Sequence, residues 1–389
     1  MIYITEKEKQ TPVKGSCDVV VAGGGVAGIA AALAAARNGA GVKLIEKQCL
    51  LGGLATLGII TIYLPLCDGM GNQIIFGIGE ELLKLSIKYG YETRYPEAWL
   101  NNGSIEEKKK KRYEVQYNPQ LFAIAAEQLL LSEGVELIYD TLITGVNVDN
   151  NRITEVIVDN KEGHYAISTN AVVDCTGDAD ICEFAGENTA AYQENRFAAW
   201  YYYSHKNGYK LQPIATTPIF GPLTERTYDG LLSDDINRLL IRGHKVILED
   251  VLKKRVEQED ESIMPVTIPV VPPVRMTRRL SGVYTLDESE EGTEFEDSIG
   301  KTGDWRKKGP VHDLPYGILY GNKIANLSVA GRCVSVTTDM WDITRVIPAC
   351  AVTGEAAGAA AALTAKKGIG FKDLDIDKLQ NVLGLNARK

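Results

Sequence analysis

Histidine is scarce in this chain, with four in 389 residues, and the seven cysteines form no C-x-x-C pair. Without Cys and His clustered at ligand spacing, a structural metal or an iron–sulfur centre lacks a donor set, and none is expected. An odd number of unclustered cysteines also argues against a disulfide framework and fits a reducing cytoplasm. Positive charge is in the minority. The 42 Lys and Arg against 51 Asp and Glu leave a formal charge of −9, which argues against nucleic acid as the main partner. The one basic cluster, Lys108 to Arg112, directly follows Glu106-Glu107 and reads as a solvated loop or helix face. Long apolar runs are missing too: none approaches about 18 apolar residues uninterrupted by glycine, polar or charged residues, so no membrane span is expected. Met1-Ile2-Tyr3 leads into Lys7, Glu8 and Lys9 rather than an apolar core, which is not a signal-peptide pattern. No internal repeat stands out. The length suffices for a large core and two or three domains.

What is present is concentrated between Cys17 and Glu46. Cys17 to Ala22 is a short, β-rich apolar run, as a buried parallel strand requires. It enters Gly23-Gly24-Gly25-Val26-Ala27-Gly28, a G-x-G-x-x-G turn, followed by an alanine-dense helical run from Ile29 to Arg37 that ends at Asn38-Gly39. A second strand, Val42 to Ile45, finishes on Glu46. Gly23 permits the tight turn, Gly25 admits a pyrophosphate to the backbone, and Gly28 lets the helix pack on the strand. The helix N-terminus, at Val26 and Ala27, offers free N–H groups to phosphates, and Glu46 is placed for a ribose hydroxyl. A lone glycine turn is weak, but strand, helix and acid at this spacing predict a dinucleotide site.

NAD and FAD share that fingerprint. Directly after Glu46 and Lys47 comes a second glycine cluster, Leu51-Gly52-Gly53-Leu54-Ala55-Thr56-Leu57-Gly58, which would let backbone approach the cofactor again, as an extended FAD requires. Ala171 to Cys175 reads as a strand ending on Thr176-Gly177-Asp178. Ile324 to Ala330 reads as another, ending on Gly331-Arg332, with an alanine- and glycine-rich helix following from Ile347 to Lys366. Together these elements resemble the FAD-dependent oxidoreductases of the glutathione-reductase structural type. More closely they resemble the bacterial family known simply as FAD-dependent oxidoreductase, relatives of the fumarate reductase and succinate dehydrogenase flavoproteins. VVDCTGDAD, PPVRMTRRLSGVYTL and NLSVAGRC with TRVIPACAVTGEAAGAAAAL carry the likeness beyond the first two segments.

The resemblance implies an α/β fold, a Rossmann-like FAD-binding domain with an inserted α+β substrate domain. Because both ends carry cofactor motifs, the FAD domain is expected to be split, 1–187 and 315–389, around an insert at 188–314. The helix beginning near Pro348, read as its first position, should point its N-terminus at the pyrimidine edge of the flavin. Its dipole is worth up to about 2 kcal/mol to the negative reduced ring, a tilt of roughly 20–40 mV. Arg345 either assists that charge, holds a substrate anion or makes a salt bridge, and Ile347 lies at the same edge. Ile143, in a strand-like stretch from Glu136 to Val146, matches the position whose backbone meets adenine. Gly354 and Gly358 read as tight helix–sheet packing.

The insert carries the substrate candidates. Arg275, Arg278 and Arg279 follow Pro272-Pro273 and could clamp a carboxylate; the alternative is a charged strand. We single out Arg278, with Arg345, as catalytic candidates. His312 is the third, the best general acid or base among the four histidines, with a structural role as its alternative. Tyr316 is followed by Gly317 where the resembled family has arginine, which puts a shared specificity in doubt. Cys67 has no thiol neighbour in sequence, so a disulfide-reductase mechanism is not expected. No His or Cys sits in a recognised attachment context, and FAD is expected to be non-covalent.

The expectation is therefore a cytoplasmic oxidoreductase acting on a small metabolite by hydride transfer, free or as a homo-oligomer. The alternatives are a flavin-binding electron-transfer subunit of a larger complex and an NAD(P)H-dependent mono-oxygenase. No second dinucleotide fingerprint follows Glu46.

Overall fold

The computed structural model describes residue 4, residues 10–215 and residues 227–385; the N-terminal stretch read for a signal pattern lies outside these except for Ile4. The strand–turn–helix–strand unit forms as strand β1 (Val13–Ala22), helix α1 (Val26–Arg37) and strand β2 (Val42–Ile45). Val19, Val20, Val21 and Ala22 are wholly buried, as in a parallel strand with neither face open to solvent. Ten of the twelve α1 residues are buried as well. The helix stops at Asn38, and Gly39 takes the positive φ of 75° that ends it.

After several intervening helices, the same sheet continues with β3 (Glu136–Ile138), β4 (Leu142–Asp149), β5 (Arg152–Asn160) and β6 (Gly163–Asp174). The strand order is β3-β2-β1-β6-β5-β4. β6 is longer than its apolar end suggested. Its first half runs antiparallel to β5, with Glu155 opposite Ser168, while its second half runs parallel to β1, with Val19 opposite Ala171. The stretch from Glu136 to Val146 is two strands rather than one, broken where Asp140 adopts a φ of 48°.

A second hydrophobic cluster lies between Phe197 and Val274. It is built from β7 (Ala198–His205), β8 (Gly208–Ala215), helix α2 (Ser233–Gln258) and β9 (Pro265–Thr267), with β7 central in an antiparallel sheet. Strand alternation sends Tyr201 and Tyr203 into this cluster beside Leu239 and Val251, and Trp200 and Tyr202 to the opposite face.

The chain then returns to the first core. β10 (Leu327–Val329) pairs in parallel with the far end of β6, Leu327 opposite Val172. Helix α3 (Ile347–Lys367) follows, and Gly368 closes it at a φ of 64°. The α3 glycines serve helix–helix packing, not the helix–sheet packing expected from sequence. A Cβ on Gly354 would sit 2.3 Å from the Ala27 oxygen, and one on Gly358 would sit 2.0 Å from the Ala31 oxygen. α3 is also, by length and composition, apolar enough to cross a membrane, yet 94% of its most apolar window is buried in the fold, as in the core helix of a globular domain.

Candidate functional site

The glycine turn is held by close backbone approach. Gly23 has a φ of 98°, and a Cβ there would lie 2.7 Å from the Cys175 oxygen. A Cβ on Gly28 would lie only 1.9 Å from the Gly23 oxygen, so helix and turn touch. Gly25 differs: at φ −65° it has ordinary backbone, and an added Cβ would meet nothing within 4 Å. It borders open space at the N-terminus of α1, which has no side-chain cap. The second glycine cluster docks here, Gly52 N–H donating to the Gly24 oxygen at 2.8 Å. Glu46 is buried and accepts from the Gly24 N–H at 2.6 Å and the Gln48 N–H at 2.8 Å. Burial pushes its carboxyl above the usual range, against those two bonds. Each of its oxygens keeps a lone pair for a hydroxyl.

That open space is a cavity of about 690 Å³ at the carboxyl ends of β1, β2, β6 and β10, where open α/β sheets take ligands. Gly23, Gly25, Val26 and Ala27 line it, as do Glu46 and Lys47, Gly53 to Ala55, and Ile143. Thr176, Gly177, Asp178, Gly331, Arg332, Arg345 and Ile347 complete the set. Of the residues expected to hold a cofactor, only Gly28 stands off the cavity, beneath the turn. The loop after β6 is fixed by wholly buried Asp174, which accepts from the Thr176 hydroxyl (2.7 Å), the Ile181 N–H (2.9 Å) and the Cys182 N–H (3.2 Å). Arg332 braces the other side, donating to the Val274 oxygen at 2.9 Å and the Arg275 oxygen at 3.2 Å, and standing 3.4 Å from Asp178. The N-terminus of α3 faces the cavity through Val346 and Ile347, which makes Pro348 the second helical residue rather than the first.

The opposite wall comes from the second cluster and its flanks: Trp200, Leu211, Ile236, Val271 and Pro272. Arg275 lies among them, its guanidinium 4.9 Å from the Trp200 ring centre. Its Nε and Nη2 are buried and find no acceptor among the described residues. Burial, then the neighbouring Arg345 and Arg332, push its pKa down to about 9. Arg345 pairs with Asp342, but its Nε also lacks an acceptor among the described residues. Asp180, on the same cavity, is pushed up to about 6 by burial and by Asp178 and Asp174.

Two of the three catalytic candidates stand away from this space. Arg278 is committed to the loop after β6: its Nε donates to the Asp178 oxygen at 3.0 Å, and its fork reaches Asp180 at 2.8 Å and Glu183 at 3.4 Å. His312 is 1% exposed, opposite Thr302 in the hairpin of Ser298–Gly303 and Val311–Pro315, and does not line the cavity. Burial holds its imidazole below the ordinary value, and Nδ1 has no hydrogen-bond partner among the described residues. Arg279 lies over the Trp341 ring, 5.6 Å from its centre. Cys67 is buried, accepting from the Tyr113 N–H. The sequence reading passed over Thr61, Trp200, Trp305 and Asp180 on the cavity wall. Trp200 had a signal, the strand alternation running through the tyrosine triplet. Asp180 had one too, closing the VVDCTGDAD segment two residues past Asp178, while Thr61 and Trp305 depend on long-range folding.

The family described as FAD dependent oxidoreductase matches residues 18–199 and 234–383. The chain belongs to that family. The oxidoreductase is also 33% identical over 94 residues to a thioredoxin reductase of Ureaplasma parvum serovar 3, a match spanning 24% of this chain and 28% of that one. Among solved structures it is similar to p-nitrophenol 4-monooxygenase of Pseudomonas putida DLL-E4, with a TM-score of 0.52 and 11% identity over 97% of this chain and 87% of that one. It is also similar to L-proline dehydrogenase of P. horikoshii, with a TM-score of 0.46 and 14% identity over 97% and 99% of the two chains. At such identities the likeness to the monooxygenase is one of fold. Membership of the family implies a flavin.

Proposed function

We propose that this oxidoreductase holds FAD non-covalently in the cavity and transfers a hydride between it and a small anionic metabolite. The observation that carries this reading is convergence: motifs as far apart as Gly23 and Ile347 line one cavity. When bound, FAD supplies the two-electron chemistry. The chain's residues then have separate tasks. The free N–H groups at the start of α1 suit a pyrophosphate, with Gly25 leaving room for it. Glu46 suits a ribose hydroxyl, and Ile143 the adenine. Arg345 and the N-terminus of α3 offset negative charge at the reacting end. Non-covalent binding is supported by the cavity thiols Cys175 and Cys350. Burial pushes both up, Cys350 to about 12, so they stay protonated and poorly nucleophilic.

Arg275 supports the anionic substrate. A guanidinium with two buried N–H groups unpartnered among the described residues is costly unless a ligand supplies the acceptors, and a carboxylate does so bidentately. It belongs to the segment 188–314 that we take as the inserted substrate domain, whose Trp200, Leu211 and Ile236 would pack on the substrate body. The test is an anaerobic titration of the purified flavoprotein with acetate, benzoate and succinate, following the visible flavin band. A saturable spectral shift that Arg275→Gln abolishes supports the assignment. A shift unchanged in that variant, or none in the wild type, refutes it.

A further inference from the structure

Strand alternation turns Tyr202 out of the second cluster and toward the floor of the cavity, where Thr61 lies. Both side chains are buried, Thr61 at 1% and Tyr202 at 2% exposure. Thr61 Oγ1 is 3.0 Å from the Tyr202 hydroxyl, which donates to Glu92 Oε2 at 2.6 Å. The polarity of this chain is fixed by chemistry. An ionised carboxylate only accepts, so the single Tyr202 proton points to Glu92 and the Thr61 proton points to Tyr202. The remaining lone pairs of Thr61 are left to accept a proton from a ligand. Glu92 is half-buried at the far end, taking a second bond from Gln116 Nε2 at 2.8 Å, and its Oε1 is buried without a partner among the described residues. It is thus a carboxylate with capacity for a proton, on a residue that is itself partly exposed.

We propose that Thr61, Tyr202 and Glu92 form a proton relay between the cavity and the outside. The relay rests on the proposed hydride transfer, whose partner proton it carries. When a substrate O–H or N–H is oxidised, its proton bonds to Thr61 Oγ1, the Thr61 proton passes to the Tyr202 oxygen, and the Tyr202 proton passes to Glu92. The electron pair of the broken bond stays on the substrate, as its two-electron oxidation requires. Glu92 ends neutral and releases the proton to water; in reduction the transfers reverse. Burial already raises the Glu92 carboxyl toward the range where it can cycle, although the bonds from Tyr202 and Gln116 oppose this. The titratable groups facing it are Tyr202 and Tyr117, and the adjacent Arg94 is engaged by Glu114 at 2.8 Å. The relay spans the two clusters, Thr61 belonging to the loop beyond the second glycine cluster and Tyr202 to β7.

The test uses infrared difference spectra after flash photoreduction of the FAD-loaded protein by a sacrificial electron donor, across a pH series; reduction makes the cavity take up a proton, which the relay run in reverse would supply. A carboxylic-acid band absent from Glu92→Gln identifies Glu92. In the wild type that band should change with flavin reduction, with an amplitude that titrates above the usual carboxylate range. Thr61→Val and Tyr202→Phe should slow its change at least about tenfold. Thr61→Ser, which keeps the hydroxyl, should restore the wild-type rate, an outcome that a purely structural role does not predict. The relay is overturned if no carboxyl band responds, or if it responds equally fast in all variants at full flavin content. A wild-type protein that binds no flavin would instead overturn the proposed function, so the two failures are distinguishable.

Discussion

Two alanine substitutions, three residues apart, separate the cofactor's needs from those of the fold. Gly25 and Gly28 both belong to the glycine turn, but only Gly28 is crowded by protein. Gly28→Ala would set a Cβ 1.9 Å from the Gly23 oxygen, a separation that real side chains do not reach, so α1 must retreat by roughly an ångström. Overpacking of that kind costs about 1–3 kcal/mol, and the FAD-free protein should melt at a lower temperature. Gly25→Ala meets no protein atom within 4 Å and needs no unusual backbone, so melting without FAD should change by less than about 0.5 kcal/mol. Its methyl group occupies the approach we assign to the pyrophosphate. Losing one charge-assisted hydrogen bond there, about 1.5–3 kcal/mol, should raise the FAD dissociation constant roughly 10- to 150-fold. Fluorescence titration of the apoprotein with FAD, beside thermal melts, reads both quantities. A Gly25→Ala protein that binds FAD as tightly as wild type, or a Gly28→Ala protein that melts like wild type, would refute this reasoning.

Three further substitutions probe the site and its supports. Arg345→Ala should lower the flavin midpoint potential by roughly 20–40 mV, the equivalent of about 1–2 kcal/mol for a two-electron couple; an unchanged potential in a redox titration would remove Arg345 from the flavin's surroundings. His312→Gln should leave flavin reduction untouched and flatten the acid side of the stability profile. Burial holds the folded imidazole below its ordinary 6.5, so the unfolded chain takes up the proton first. The stability from this group is present above about 6.5 and lost as pH falls below it, and melts of wild type and variant between neutral and mildly acidic pH check the sign. Gly358→Val should destabilise by about 1–3 kcal/mol or more, because its side chain would enter the Ala31 backbone; denaturant unfolding with a normal midpoint would contradict the helix–helix contact.

Local chemistry made much of this molecule legible. The strand, turn and helix between Cys17 and Glu46 each follow from short-range rules, and their spacing alone places Glu46 against the Gly24 N–H. The cofactor residues converge because the motifs sit at carboxyl ends of strands in one parallel sheet. What sequence could not show depends on which way a segment is turned by distant pairing. Arg275, Arg278 and Arg279 form one cluster in sequence, where nothing local favours Arg275 over the singled-out Arg278. Pairing of Arg278–Leu280 with Thr189–Ala191 carries Arg278 to Asp180 and Glu183, while Arg275, ahead of that strand, reaches the cavity. His312 stands in sequence where the insert returns, a candidate acid or base with a structural role as its alternative, and its strand buries it in the hairpin opposite Thr302. Gly354 and Gly358 had the right property, closeness, assigned to the wrong neighbour, because only the fold lays α3 across α1. Thr61 and Tyr202 are 141 residues apart and meet only in three dimensions.

The central claim is that the cavity holds FAD without a covalent bond. The most direct measurement is the visible absorption spectrum of the purified protein, followed by denaturation and analysis of the released chromophore. The account predicts a flavin spectrum and equimolar FAD freed into solution. A colourless protein that stays colourless after incubation with FAD, or a flavin that remains attached to the denatured chain, would contradict it.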